Sequence, residues 1–249
     1  MNLTTQIAKG NTASIYLHEG KIIKVFNDYL PSTEALYEAT KQKYAYSCGL
    51  PVPKVFDVIE IDGKQAIIME YIEGRTIGDI IFKDMEQAEY YMSIAVDIQR
   101  KIHAIDADSI EPMSEKLSRQ IQSADILGDE RKAILLQRLN TMPSEKKLCH
   151  GDYHIFNLIM TNDNMTIIDW VDSSVGDIRA DVYRSYLLYS QISMELADLY
   201  LCLYCEKSGL SKDEVFLWAP IIAGARLSEN VSTEKAERLL EIVNKHCSL

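Results

Sequence analysis

The stretch His150-Gly151-Asp152-Tyr153-His154-Ile155-Phe156-Asn157, continued by Leu158-Ile159-Met160, decides how the chain is read. A turn at Thr161-Asn162-Asp163-Asn164 follows, and then Met165-Thr166-Ile167-Ile168-Asp169-Trp170. Two short apolar runs around an Asn/Asp turn predict a β-hairpin, entered from a polar loop and ending on a carboxylate. The hairpin is expected to gather three oxygen-bearing side chains: Asp152 and Asn157 from the loop, Asp169 from the strand end. An Asn and an Asp are hard oxygen ligands suited to Mg²⁺. Asp152, five residues before Asn157, is spaced to sit beside a substrate hydroxyl and receive its proton.

His-Gly-Asp-x-His-x-x-Asn, with Ile-Asp-Trp centred twelve residues beyond the Asn, resembles the catalytic core of the aminoglycoside phosphotransferase-like kinases. That family also includes choline, homoserine and other small-molecule kinases on a protein-kinase-like fold, and protein kinases use the same layout for phosphoryl transfer. An isolated His-Gly-Asp is a turn, and a lone Asp169 is a helix cap; five ordered positions followed by a second block are neither. Ile155 stands where the family often has Pro, a change expected to alter loop stiffness rather than chemistry. The resemblance implies transfer of the γ-phosphoryl group of ATP to a hydroxyl, with Asp152 as catalytic base and Asn157 and Asp169 holding Mg²⁺.

The totals bound the alternatives. A chain of 249 residues holds one large domain or two smaller ones. Hydrophobic and charged contents of 47% and 25% are those of a soluble globular protein. No signal segment or membrane-length apolar run is present, so the expected location is cytoplasmic, with no membrane partner. A formal net charge of −11 argues against a nucleic-acid surface. The odd, scattered cysteines (48, 149, 202, 205 and 247) fit a reducing compartment. Cys202-Leu203-Tyr204-Cys205 has metal-site spacing but no second pair, and is expected to be buried helical packing.

Upstream, residues 7–17 and 21–26 predict strand, polar loop, strand and strand. Gly10 and the Ser14 hydroxyl are placed to cover phosphate oxygens; the loop resembles the family's phosphate-covering loop but lacks three glycines. Lys24 alternates with Ile23 and Val25 and faces away from them. The resemblance gives it the α- and β-phosphates of ATP and requires a carboxylate partner. Ser32 is a plausible N-cap for a helix running to about Ser47, with Glu34 and Glu38 one turn apart on one face. Glu38, fifteen residues before Pro53, has the family's spacing and is preferred, with Glu34 as runner-up. Residues 55–61 and 64–69 predict a hairpin about Asp62-Gly63. Glu70 to Gly74 then corresponds to a hinge whose backbone meets adenine, so Glu70 and Ile72 are candidates by position.

From Ile77 onward the pattern is mainly helical: residues 85–104, 115–124, 129–140, a very apolar helix from Ala180, then 212–227 and 233–247. His103 is expected as a hydrogen-bonded helix-end histidine. Residues 171–177 are expected as a polar loop, and Asp181 as a first-turn carboxylate bracing the catalytic loop. Arg226 and Glu229 are expected to form a local surface ion pair. The resulting expectation is an α+β, protein-kinase-like two-lobed fold: an N-terminal nucleotide-binding lobe over residues 1–70, a catalytic and substrate-binding helical lobe over 71–249, and ATP between them. Twelve residues from Asp169 to Asp181 leave little room for a peptide-docking segment, so a small-molecule hydroxyl acceptor is expected. Six aspartates against one basic residue, Arg179, between 150 and 181 favour an amino-bearing or quaternary-ammonium alcohol. The rival is a non-catalytic nucleotide-binding regulatory protein; oligomeric state is left open.

Overall fold

The computed structural model describes residues 3, 5–10, 12–162, 164–229, 231 and 234–246. In chain order, β1 (Thr5–Lys9), β2 (Ala13–His18) and β3 (Lys21–Phe26) lead into α1 (Glu34–Ser47), followed by β4 (Val55–Ile61), β5 (Lys64–Glu70), β6 (Arg75–Thr76) and α2 (Ile77–Lys83). Next come α3 (Ala88–His103), α4 (Met113–Ser123), α5 (Gly128–Thr141), β7 (Lys147–Cys149), β8 (Leu158–Thr161), β9 (Asn164–Ile167) and β10 (Ser174–Gly176). The chain closes with α6 (Ile178–Ile192), α7 (Met194–Ser208), α8 (Lys212–Phe216), α9 (Ala219–Arg226) and α10 (Ala236–His246). It is the expected α+β fold, with an antiparallel sheet early and helices late. Internal contacts group residues 1–83 with 155–172 in one compact unit, and 84–154 with 173–249 in the other. Residues 71–83 and the β8–β9 hairpin thus belong with the N-terminal strands.

The first unit is built on an antiparallel sheet in the order β1-β2-β3-β5-β4. Its β4–β5 turn has Asp62 at φ 51° and Gly63 at φ 81°, the two positive values that suit the right-handed twist of a two-residue hairpin. Ile22 and Phe26 of β3 pack with Ala35 and Ala39 of α1 on one face, while Ile23 and Val25 pack with Ile61 and Ala66 on the other. Lys24, between them, therefore leaves the sheet on the helix-covered face. Helix α1 starts later than its sequence suggests: Thr33 occupies the cap position and makes no side-chain cap bond. Gln65 of β5 does this work instead, accepting from the Ala35 N–H at 2.8 Å, so Ser32 is not the cap.

A second sheet, β6-β8-β9, completes this unit. Two glycines let it close. A Cβ on Gly74 would lie 2.3 Å from the Met160 carbonyl oxygen, and one on Gly78 would lie 2.3 Å from the Phe156 ring. The Phe156 ring stacks on Phe82 of α2, with centroids 6.1 Å apart.

In the second unit α6 packs on α7, α7 on α3, and α9 on α4 and α10. Tyr153, Tyr189, Tyr200 and Tyr204 are buried among them. Several sequence expectations are corrected here. Residues 171–177 are not all loop, because β10 pairs with β7; each strand is three residues long, too short for a period to register. The 212–227 helix is two helices, broken at Leu217–Trp218 before Pro220. Cys202 is exposed and Cys205 half-buried on α7, so this pair is not core packing. Thr233, Cys247, Asn11 and Asp163 lie outside the described residues. Among the described residues, no helix is long and apolar enough to cross a membrane.

Candidate active site

Two clusters hold the candidate residues, one in each unit. In the first, α1 turns Ala35, Glu38, Ala39, Gln42 and Ala45 toward the sheet, a spacing that makes one helical face. Glu38 consequently meets Lys24: the ammonium donates to both carboxylate oxygens, at 2.7 and 2.8 Å. Glu34, one turn earlier, is not the partner. Lys24 also reaches the Asp169 carboxylate at 3.4 Å. Burial works to lower the Lys24 pKa, but Asp169 and Glu38 outweigh it and raise it, so the amine stays cationic. Burial pushes Glu38 up to about 7, against the pull of Lys24.

Asn157 and Asp169 come together through hairpin register. Leu158 of β8 pairs with Ile167 of β9, so the residues just before β8 and just after β9 lie at the same end. The Asn157 carbonyl accepts the Ile168 N–H at 3.0 Å. Trp170 is fully buried, and its indole N–H donates to the Ile167 carbonyl at 3.2 Å, which pins the chain just beyond Asp169. Asp169 has φ 64°, a left-handed backbone of the kind found at functional sites. Its carboxylate is 39% exposed, while Asn157 is buried. One amide oxygen and one carboxylate at a shared edge fit a hard divalent cation such as Mg²⁺.

The remaining candidates of this unit are more loosely tied to Lys24. Gly10 donates its N–H to the Ala13 carbonyl at 2.9 Å, closing the β1–β2 turn. Ser14 lies opposite Val25 in the ladder, so its hydroxyl and the Lys24 amine leave the sheet on opposite faces. Glu70 ends β5; its N–H donates to the Lys54 carbonyl and its carboxylate accepts the Lys54 N–H at 3.1 Å. Ile72 is half-buried in the irregular segment after it.

The second cluster hangs from Asp181, fully buried in the first turn of α6. One carboxylate oxygen accepts the Gly151 N–H at 2.7 Å. The other accepts from His150 N–H at 3.3 Å, His103 Nε2 at 2.9 Å and Gln99 Nε2 at 3.2 Å. Burial works to raise the Asp181 pKa, but His103, His150 and the Gly151 amide hold it at about 2. His103, the last residue of α3, meets Asp181 through Nε2 at 2.9 Å and the Tyr204 hydroxyl through Nδ1 at 2.5 Å, which fixes the ring. His103, Cys149 and Asp181 bring three metal-type atoms within 4.8 Å of one another. Both ring nitrogens are engaged, and burial followed by Asp181 and Asp177 raises the Cys149 thiol. The group is a brace for the loop.

Asp152, next along, keeps its side chain 22% exposed. His154 lies 3.4 Å from one carboxylate oxygen and Arg184 3.7 Å from the other. Burial alone would raise its pKa, but His154, then Arg184 and His150, hold it well below the usual carboxylate range.

Arg184 had no signal in the sequence. On α6 it sits one turn past Asp181, but only the fold brings Glu229 within 3.0 Å of it. Arg226 joins the same Glu229 oxygen, so the expected surface pair of Arg226 and Glu229 is instead part of a network, with Arg226 buried. The acidic count from 150 to 181 is also largely spent: Asp177 caps α6 and binds Arg179, Asp169 faces Lys24, and Asp181 is enclosed.

Residues 4–220 match the sequence profile described as the phosphotransferase enzyme family, APH. The chain belongs to that family. Its fold is similar to a thermostable mutant of aminoglycoside phosphotransferase APH(4)-Ia, with a TM-score of 0.73 at 14% identity, covering 100% of this chain and 96% of that one. It is similar too to choline kinase LicA from Streptococcus pneumoniae, with a TM-score of 0.66 at 17% identity, covering 98% and 94%. Acyl-CoA dehydrogenase family member 10 of Mus musculus is 29% identical over 187 residues, 64% of this chain. The phosphotransferase-family chain spans only 17% of that relative, whose name describes a much longer protein.

Proposed function

We propose that this phosphotransferase-family chain is a small-molecule kinase that moves the γ-phosphoryl group of ATP to the hydroxyl of a small acceptor. The observation that carries the reading is the Lys24–Glu38–Asp169 cluster: a buried lysine held bidentately by one carboxylate and offered to a second, half-exposed one. A cation so restrained is preorganised for phosphate oxygens. In this reading the β1–β2 loop, closed at Gly10 and followed by Ser14, covers the phosphates, and the backbone at Glu70 and Ile72 meets the adenine. Asn157 and Asp169 would hold Mg²⁺, which when bound neutralises charge on the phosphates. Asp152 orients the acceptor hydroxyl and takes its proton as the new O–P bond forms, the bond to the leaving oxygen breaks, and ADP departs. Positioning and charge neutralisation supply the rate.

For the acceptor, an amino-bearing or quaternary-ammonium alcohol or an aminoglycoside-like compound is the class proposed. Its support is the pair of activities named among proteins of this fold, aminoglycoside phosphotransferase and choline kinase. The deciding experiment measures ADP release from ATP across aminoglycosides, quaternary-ammonium alcohols, neutral sugars and hydroxy acids, with Mg²⁺ and with chelator. Mg²⁺-dependent release stimulated by one cationic class is the expected result. Stimulation by hydroxy acids alone overturns the acceptor class. Nucleotide binding with no turnover on any acceptor overturns the kinase reading in favour of a non-catalytic nucleotide-binding protein.

A further inference from the structure

Helix α1 reaches the end of the β8–β9 hairpin at two points. The first is Glu38, which holds Lys24 against Asp169. The second is Lys41, three residues further along α1 and so a neighbour of Glu38 on the helix surface. Lys41 is a charged residue of the interior, 3% exposed. Its ammonium donates to the Val171 carbonyl at 2.7 Å and lies 4.1 Å from the centroid of the Tyr37 ring, one turn earlier on α1. Val171 is two residues beyond Asp169. On the near side of Asp169 the chain is held by backbone: the Ile167 N–H donates to the Pro51 carbonyl at 2.8 Å, and the Ile168 N–H to the Asn157 carbonyl at 3.0 Å. Asp169, with its φ of 64°, is therefore the bend between a strand end fixed by backbone and a carbonyl fixed by a lysine.

We propose that Lys41 is a positioning residue for Asp169: from α1 it fixes the Val171 carbonyl, and with it the bend that aims the Asp169 carboxylate at the metal. The proposal rests on the reading of Asp169 as a metal ligand. A left-handed backbone at a residue other than glycine is disfavoured and persists only where its surroundings hold it, so the direction of the carboxylate depends on both flanks. The downstream flank is held by a charge-assisted hydrogen bond, stronger than a neutral donor would make. Filling space between α1 and the hairpin end does not call for an ammonium, because burying one carries a desolvation cost that an apolar side chain avoids. Through Glu38 and Lys41, the phosphate-side cation and the metal-side carboxylate are both referred to one helix. When such support for a ligand is removed, the loss falls on the metal rather than on the nucleotide.

The quantity that tests this is the gain in affinity for the non-hydrolysable ATP analogue AMP-PNP on adding Mg²⁺, measured by calorimetry on the full chain in Mg²⁺ and in EDTA. Lys41→Met keeps the apolar stem and removes the donor. In that variant the gain is expected to shrink about tenfold or more, while the affinity in EDTA stays within about twofold of wild type. In an Asp169→Ala background the same change is expected to alter the gain by less than about twofold, because the carboxylate that it positions is absent. Lys41→Gln, polar but shorter, is read in the same way if the methionine variant does not fold. An undiminished gain in Lys41→Met overturns the proposal. Equal losses in Mg²⁺ and in EDTA also overturn it, by marking Lys41 as packing alone, as does a full Lys41→Met effect in the Asp169→Ala background. Asp169→Ala with a wild-type gain removes the reading of Asp169 as a metal ligand instead, and the proposal with it.

Discussion

The Lys24 cluster and the Asp152 cluster are both charge networks under the surface, and they are built in opposite ways. Lys24, Glu38 and Asp169 come from a strand, a helix and a hairpin end, and charge alone joins them: one ammonium satisfies two carboxylates. Asp152 sits on a loop whose backbone is tied to α6 through Asp181 and Arg184. In the first cluster the elements are rigid and the side chains make the contact. In the second the contact holds the backbone, and the Asp152 side chain is partly exposed. A group that steadies a fixed charge belongs on regular structure, whereas one that must meet a variable acceptor can sit on a loop that is locked from beneath.

Exchanging the roles is the most severe way to break the comparison. Asp152→Asn is expected to cut phosphoryl transfer by roughly a hundred- to ten-thousand-fold, while nucleotide affinity stays within a few-fold. Asp169→Ala is expected to do the reverse, abolishing the Mg²⁺ dependence of nucleotide binding. Calorimetric titration of ATP with and without Mg²⁺, run beside turnover, separates them; a matching pattern in the two variants would merge the clusters into one function. Next in size is the ion pair. Lys24→Met leaves Glu38 buried without its cation and is expected to cost about 3–5 kcal/mol; Glu38→Leu leaves Lys24 with Asp169 alone and is expected to cost less. Denaturant unfolding of the double variant should show a loss well short of the sum; simple additivity would mean that the two side chains do not act as a unit.

The smallest effect sharpens the other side. The Asp181 pKa is depressed in the folded chain, from 3.8 to about 2. Its contribution to stability is therefore full above pH 4 and is lost as pH falls from about 4 toward 2. The shift corresponds to about 2 kcal/mol. Asp181→Asn lowers stability at every pH through its lost acceptor, but its unfolding free energy should fall less steeply than wild type across that acid window. Parallel acid slopes would show that the brace does not depend on the charge of Asp181.

What could be read in advance follows the range of the interactions. The hairpin about Asp62-Gly63 and the alternation that aims Lys24 are local rules, and the strands follow them; the choice of Glu38 over Glu34 came from the family's spacing. Asp181 was legible as a brace because a first-turn carboxylate beside a loop has few other uses. Arg184 was not, since its partner Glu229 is 45 residues away and no period links them. Arg226 was misjudged for the same reason: its i,i+3 pairing with Glu229 is local, but its burial is decided by packing. Cys202 erred the other way, an apolar helix suggesting a core face where the fold leaves an exposed one. The aspartate count from 150 to 181 carries little by itself, because sequence cannot say which acids have already met an arginine or an amide.

Asp169 leaves its position almost without synonyms. A left-handed backbone at φ 64° is comfortable for Gly and accessible to Asn and Asp, whose short polar side chains bond locally; longer side chains meet the cost of about 1–2 kcal/mol that chirality imposes there. The proposed metal role asks for a carboxylate. Glutamate offers the charge on the wrong backbone, and glycine or asparagine the backbone without the charge. Aspartate is where the two vocabularies overlap, so one dihedral angle restricts what evolution or an engineer can write at that place.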